Sequence, residues 1–286
     1  MMGAHHAACG AAAWVALTTN LHVDLTVLAE KAPFLPHAMD IGFGLMHVSP
    51  IAVVTGALFT AGAALASDAD HHNATIAHSL PPLSNVICAG IGKVSGGHRH
   101  GTHSIVGIAA FVFIAWLAGL WTMELAPFGT VYPGAGILAV LMVAFAAKAL
   151  KIIPDAMRKA PWVVGLSVGA FIGLFAPQEQ GWLPLAMGIG VIVHILGDMM
   201  TTEGCNLAWP FAIKPPKAIA NLPVIKQCWH SNGYMTIPVL GHAGSMREWL
   251  LLVPIGLYAM FGVGATLVGM GQTGLHELVM ATALGK

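Results

Sequence analysis

Charge is what this sequence has least of. Only 8% of its 286 residues are Asp, Glu, Lys or Arg, where an ordinary soluble domain carries about 25%. That shortage, with a mean hydropathy of +0.77, argues against a soluble globular fold. The 12 basic and 12 acidic residues cancel, so the cationic surface that nucleic-acid binding requires is missing and no nucleic-acid partner is expected. No Lys or Arg precedes Lys31, which removes the positive n-region of a secretory signal and leaves the N-terminal stretch as part of the working protein. Cysteine is sparse too. Cys9, Cys88, Cys205 and Cys228 are scattered without a CxxC, which excludes a zinc ribbon and a dense disulfide framework. Neither an internal repeat nor a low-complexity linker is present.

Apolar blocks fill the space that charge leaves. Seven of them, 7–20, 45–66, 105–123, 133–150, 161–177, 184–200 and 249–270, approach or reach the roughly 17–25 residues that a membrane-crossing helix needs. The Ala-rich first block is the shortest. Pro133, Pro161 and Pro184 stand at block starts, where a missing N–H costs nothing. The 34 glycines suit close helix–helix approach in lipid. The expectation is an all-α polytopic membrane protein of six to seven transmembrane helices, forming one integral domain over 1–286.

The few charges orient it. If the blocks alternate, Lys93, Arg99, Lys148, Lys151, Arg158, Lys159, Lys214, Lys217, Lys226 and Arg247 share one side, while Glu124 and Glu179 mark the other. The positive-inside rule makes the basic side cytoplasmic. Only Lys31 and Lys286 fall opposite.

Histidine is the one abundant polar residue, with 15 copies. Three clusters of histidine and aspartate fall on the basic side. Asp68-Ala69-Asp70-His71-His72 follows the second block and offers hard and borderline metal ligands together. Its competing reading is a solvated helix end. His98-Arg99-His100-Gly101-Thr102-His103-Ser104 precedes the third block. The glycines at 96, 97 and 101 allow a tight loop that turns several imidazoles inward, and Thr102 or Ser104 can cap the next helix. Arg99 presents a planar fork suited to phosphate or carboxylate. His194 and Asp198, four apart near the end of the sixth block, share one helix face, as paired metal ligands do. A hydrogen-bonded pair tying two helices is the alternative there. His5 and His6 join the same face, and the candidates outnumber the four ligands of one zinc, so one or two ions are expected.

At these residues the sequence resembles the YdjM family, LexA-regulated inner-membrane proteins described as metal-dependent hydrolases. The resemblance runs through His6, Asp68-Ala69-Asp70-His71, His98-Arg99-His100-Gly101-Thr102-His103-Ser104, and His194-Ile195-Leu196-Gly197-Asp198-Met199-Met200-Thr201 with Trp209-Pro210. It covers roughly residues 1–210, and the pattern is also loosely similar to that of zinc-dependent phospholipases C. It implies metal ligands among His6, Asp68, Asp70, His71, His98, His103, His194 and Asp198. His72 stands where the family has proline, so which of His71 and His72 points inward is open. The 21–44 stretch looks like an addition, and 211–286, a loop and last helix, carries no assignable motif.

The leading expectation is a hydrolase of an ester or phosphoester, lipid-linked by its location, at the cytoplasmic surface of the inner membrane. It would use zinc or manganese, with Asp70 or Asp198 accepting the water's proton and Arg99 holding the anionic group. A divalent-metal transporter is the first rival, but 105–123, 133–150 and 161–177 contain no Asp, Glu or His to line a path across the bilayer. A structural His/Asp network is the second rival. His22, His37, His47, His230, His242 and His276 read as isolated polar residues, the 15 methionines as packing, and Trp182, Trp209, Trp229 and Trp249 as interfacial.

Overall fold

The computed structural model describes residues 1–34, 36–152, 157, 159–175 and 181–284, with side chains through 271 except at 28 and 75. Arg158, Glu179 and Lys286, which entered the orientation argument, lie outside the described residues, as does the side chain of His276. In chain order the elements are α1 (Gly3–Thr18), β1 (Leu21–Asp24), α2 (Thr26–Lys31), β2 (Ala38–Ile41), α3 (Pro50–Ala63) and α4 (Leu83–Ser95). There follow α5 (Ile105–Leu120), β3 (Met123–Leu125), β4 (Gly129–Val131), α6 (Pro133–Ala149), α7 (Ala160–Phe175), α8 (Trp182–Met199), α9 (Pro223–Cys228) and α10 (Met246–Leu284). Each of the seven apolar blocks contains a helix, and α3 and α6 begin on Pro50 and Pro133, where proline is harmless.

Three features differ from an all-α reading. The chain is mostly helical, but β1 pairs antiparallel with β2 and β3 with β4. Short-range polar pairs across the strands accompany these hairpins: His22 Nδ1 meets Asp40 Oδ1 at 2.8 Å, and Thr130 Oγ1 donates to Glu124 Oε1. The supposed loop 67–104 contains α4, whose apolar residues stand on one face and so do not form a continuous apolar run. Finally, among the described residues three helical stretches are both long and apolar enough to cross a membrane, Pro50–Asp70, Trp182–Met199 and Met246–Gly271. Helices of 16 residues, such as α5 and α7, rise about 24 Å, short of a ~30 Å hydrocarbon core.

The bundle is organised around α1, which packs against α3, α8 and α10. Trp14 and Val15 on α1 are fully buried, and the Trp14 indole donates to the Ala52 carbonyl on α3. Outward from this centre, α3 meets α6 and α8, α5 meets α8, and α6 pairs with α7. Small residues set these distances. At Gly62 the α3 backbone rests against the Met142 carbonyl of α6 so closely that a Cβ would stand 1.8 Å from the oxygen. By contrast α5 turns Val106, Phe113, Ile114, Leu117 and Leu120 outward, an apolar surface that lipid covers at no cost.

Candidate metal centre

The N-terminal ends of α1 and α5 and the C-terminal ends of α3 and α8 meet at one end of the bundle. A 3-10 turn, Ala66–Asp70, leaves α3 and carries Asp68 and Asp70. The loop 96–104 enters α5 through residues with positive φ, Gly96 (80°), Gly97 (111°) and Arg99 (63°). Two glycines absorb most of that conformation; Arg99 adopts it at a steric cost. Ser104 is the cap, its hydroxyl accepting from Gly107 N–H. Thr102 has another task. Its hydroxyl donates to Asp70 Oδ2 at 2.6 Å.

Hydrogen bonding fixes which ring nitrogens are free. His194 Nδ1 lies 2.7 Å from the Ala64 carbonyl; a carbonyl only accepts, so that nitrogen carries the proton and Nε2 keeps its lone pair. His103 Nδ1 lies 3.0 Å from Thr102 Oγ1 and 3.3 Å from Asp70 Oδ2. Since Thr102 has given its own hydrogen to Asp70, His103 donates from Nδ1, again leaving Nε2 bare. These two Nε2 atoms face each other at 3.0 Å. Asp68 Oδ1 stands 3.6 Å and 3.8 Å from them, and Asp198 Oδ2 3.8 Å and 3.6 Å. A tetrahedral ion with bonds near 2.0–2.2 Å sets its ligands about 3.3–3.6 Å apart, so the spacing fits a cation. Lone pairs converging this closely in a buried site repel unless a cation or a proton lies between them.

Of the eight ligands expected from the sequence, His6, Asp68, His103, His194 and Asp198 come together in two overlapping groups, His6/His194/Asp198 and Asp68/His103/His194. The His6 ring stacks on His194 at 3.8 Å, and its Nε2 reaches Asp198 Oδ1 at 3.1 Å. Gly197 makes room for it: a Cβ there would stand 3.1 Å from the His6 ring. Asp70, His71 and His98 stand one layer out. Both Asp70 oxygens are already engaged, by His98 Nδ1 (2.9 Å), Arg99 N–H (3.0 Å) and Thr102. Its place is therefore behind His103, orienting the loop. His71 borders a polar cavity of about 250 Å³ that His98, Arg99, Asp68 and Asp198 also line, whereas His72 is exposed. Burial and the neighbouring His98 push the His71 pKa down. At His98 burial also opposes the charge, but the Asp70 carboxylate outweighs it and raises the pKa above the usual value.

Arg99 is buried and doubly paired, Nε to Asp198 Oδ2 at 3.2 Å and Nη1 to the exposed Glu203 at 3.0 Å. One contact had no signal in the motifs: the Met1 amine reaches Asp198 Oδ1 at 2.7 Å. Another lay in the stretch without a motif. Glu248 on α10, fully buried, accepts from His5 Nδ1 and from the Met2 and Gly244 N–H groups, pinning α10 to the start of α1. Segment 201–248 braces the loop from outside, through Asn206 N–H to the Arg99 carbonyl and Ile105 N–H to the Leu207 carbonyl.

A family model for the YdjM inner membrane protein matches residues 1–269. The chain belongs to the YdjM family. The match reaches well beyond the motif-bearing 1–210, through Glu248 and into α10. No curated protein and no solved structure matches the chain. Within this YdjM site, Asp70→Asn keeps the shape but weakens the hold on His103. Metal affinity is expected to fall about 10–100-fold, the usual effect of losing a carboxylate behind a ligand histidine; titration with zinc and a competing chelator measures it, and unchanged affinity would contradict the placement.

Proposed function

We propose that this YdjM family member is a metal-dependent hydrolase of an ester or phosphoester bond, working at the cytoplasmic face of the inner membrane within a bundle of six to seven crossings. The observation supporting it most directly is the pair of Nε2 atoms at 3.0 Å between two carboxylates, Asp68 and Asp198, which themselves line a polar cavity. Asp68, His103 and His194 would hold one divalent ion, zinc or manganese. His194 has a single lone pair to offer, so the two overlapping donor groups describe one ion and not two. Three protein ligands are the usual set where a water takes the remaining position. Bound there, such an ion would supply Lewis acidity, lowering the pKa of water toward neutrality.

The chain's own groups do the rest. Asp198, held by Arg99 and His6, would accept a hydrogen bond from the attacking water and orient it. Arg99 lines the cavity wall and steadies the anionic group of the substrate alongside its pairing to Asp198. His98, gripped at Nδ1 by Asp70, faces the same cavity and passes a proton to the departing oxygen. The basic loops favour the cytoplasmic side for this end of the bundle.

The test begins with metal content of the detergent-purified protein. One zinc or manganese per chain is expected, removed by strong chelator together with phosphoester hydrolysis, and restored on adding the metal. A folded protein that neither contains nor takes up metal would mean a proton bridges His103 and His194, and the cluster would be a structural network.

A further inference from the structure

A second cavity lies on the lipid side of the same loop. α4 leans on the turns Ala66–Asp70 and Thr75–His78 and stands off from α5, leaving a groove of about 510 Å³ between them. Its walls are two helix faces of matching period: Val86, Gly90 and Val94 from α4, Val106, Ala110 and Ile114 from α5, each set spaced by four. Among the described residues no charged one lines it. From Val106 to Ile114 it follows α5 for about 12 Å, and it ends at Gly101, Thr102 and Trp209. The loop carrying His103 is therefore common to both cavities: Gly101 and Thr102 line the groove, while His98 and Arg99 line the polar cavity.

We propose that this groove holds one acyl chain of a membrane lipid whose ester or phosphoester end lies at the His/Asp centre. The substrate role rests on the hydrolase reading; the binding of the chain does not. Three observations select a lipid chain as the occupant. The rims, Val86, Val94, Val106 and Ile114, are exposed apolar residues continuous with the outward face of α5 in a family of inner membrane proteins. The slot is lined almost entirely by apolar side chains, with Ser95 and Thr102 at the loop end, a surface suited to an alkyl chain. It runs along α5 from the polar end of the bundle toward the bilayer interior, the direction a lipid tail takes from its headgroup.

Gly90 gives a clean way to fill it, because a Cβ there meets nothing within 4 Å. The full-length protein, reconstituted in phosphatidylethanolamine–phosphatidylglycerol bilayers, is irradiated with a phospholipid carrying a diazirine on one acyl chain. Labelled peptides are then mapped by mass spectrometry. Labelling of 83–95 and 105–120 is expected to exceed that of the outward face of α7 (Leu166, Phe175) severalfold, and to drop to the α7 level in Gly90→Trp. Long-chain substrate turnover should fall at least tenfold in that variant, while a short, water-soluble phosphoester is cleaved as before. Labelling equal on α4, α5 and α7, and indifferent to Gly90→Trp, would mean ordinary boundary lipid and overturn the groove. The two readings fail separately: a metal-loaded protein that cleaves nothing yet labels selectively retains the lipid groove and loses the hydrolase, and lipid hydrolysis indifferent to Gly90→Trp does the reverse.

Discussion

His103→Ala is expected to strip the protein of its metal and to lower hydrolysis about 10³-fold. The substitution removes one of the two bare Nε2 atoms and leaves Asp68 and His194 as an incomplete set. The several kcal/mol that a bound Lewis acid contributes to a transition state correspond to about that factor in rate. His98→Ala makes the informative comparison. Its ring meets the metal ligands only through Asp70 and an edge contact with His103 at 5.4 Å between centroids, while it faces the cavity as the proton donor. Metal content should be largely kept and the rate should fall by roughly 10²–10⁴-fold, the scale of losing a general acid. Metal analysis beside initial rates separates the two. If His103→Ala retains full metal while its thermal unfolding is normal, the assignment of His103 as a ligand is wrong.

Gly62→Ala should be the most damaging single methyl in the chain's interior. The added carbon would sit 1.8 Å from the Met142 carbonyl oxygen and 2.3 Å from its carbonyl carbon. Backbone cannot swing aside as a side chain does, so α3 and α6 must separate, at about 3 kcal/mol or more. Because Asp68 and Asp70 lie on the turn that continues α3, the displacement reaches the metal centre as well. Thermal unfolding in detergent should show a clear fall in midpoint with reduced metal content. The partner experiment is Gly90→Ala, on an exposed helix face with open space around it, where the midpoint should hold or rise slightly through better helix propensity. Equal midpoints for Gly62→Ala and the unaltered protein would refute the packing argument.

Much of this protein is legible without coordinates because membrane insertion imposes a coarse code. A shortage of charge, apolar blocks and prolines at block starts are local properties, and each of the seven blocks contains a helix. The His/Asp centre was legible for a related reason. Ionisable residues beside apolar blocks are expensive, so Asp68, His103, His194 and Asp198 stand out against their surroundings. α4 did not, because an amphipathic helix of 13 residues looks like a polar connection when scanned for continuous hydrophobicity. The two hairpins escaped for the same reason, being set by turns and cross-strand pairs of three or four residues.

What the sequence by itself determined is the membrane class, the helical blocks and the set of residues from which the centre is drawn. Only the tertiary structure divided that set. Which nitrogen of His194 is free depends on the Ala64 carbonyl, 130 positions away, and Asp70 rather than Asp68 turned behind His103 because Thr102 and the Arg99 amide claim its oxygens. The pairing of Glu248 with His5, and the groove between α4 and α5, likewise arise from elements far apart in the chain. Spacing along a helix tells which side chains share a face. Hydrogen-bond partners and empty space belong to the gaps between helices, and those exist only once the chain has packed.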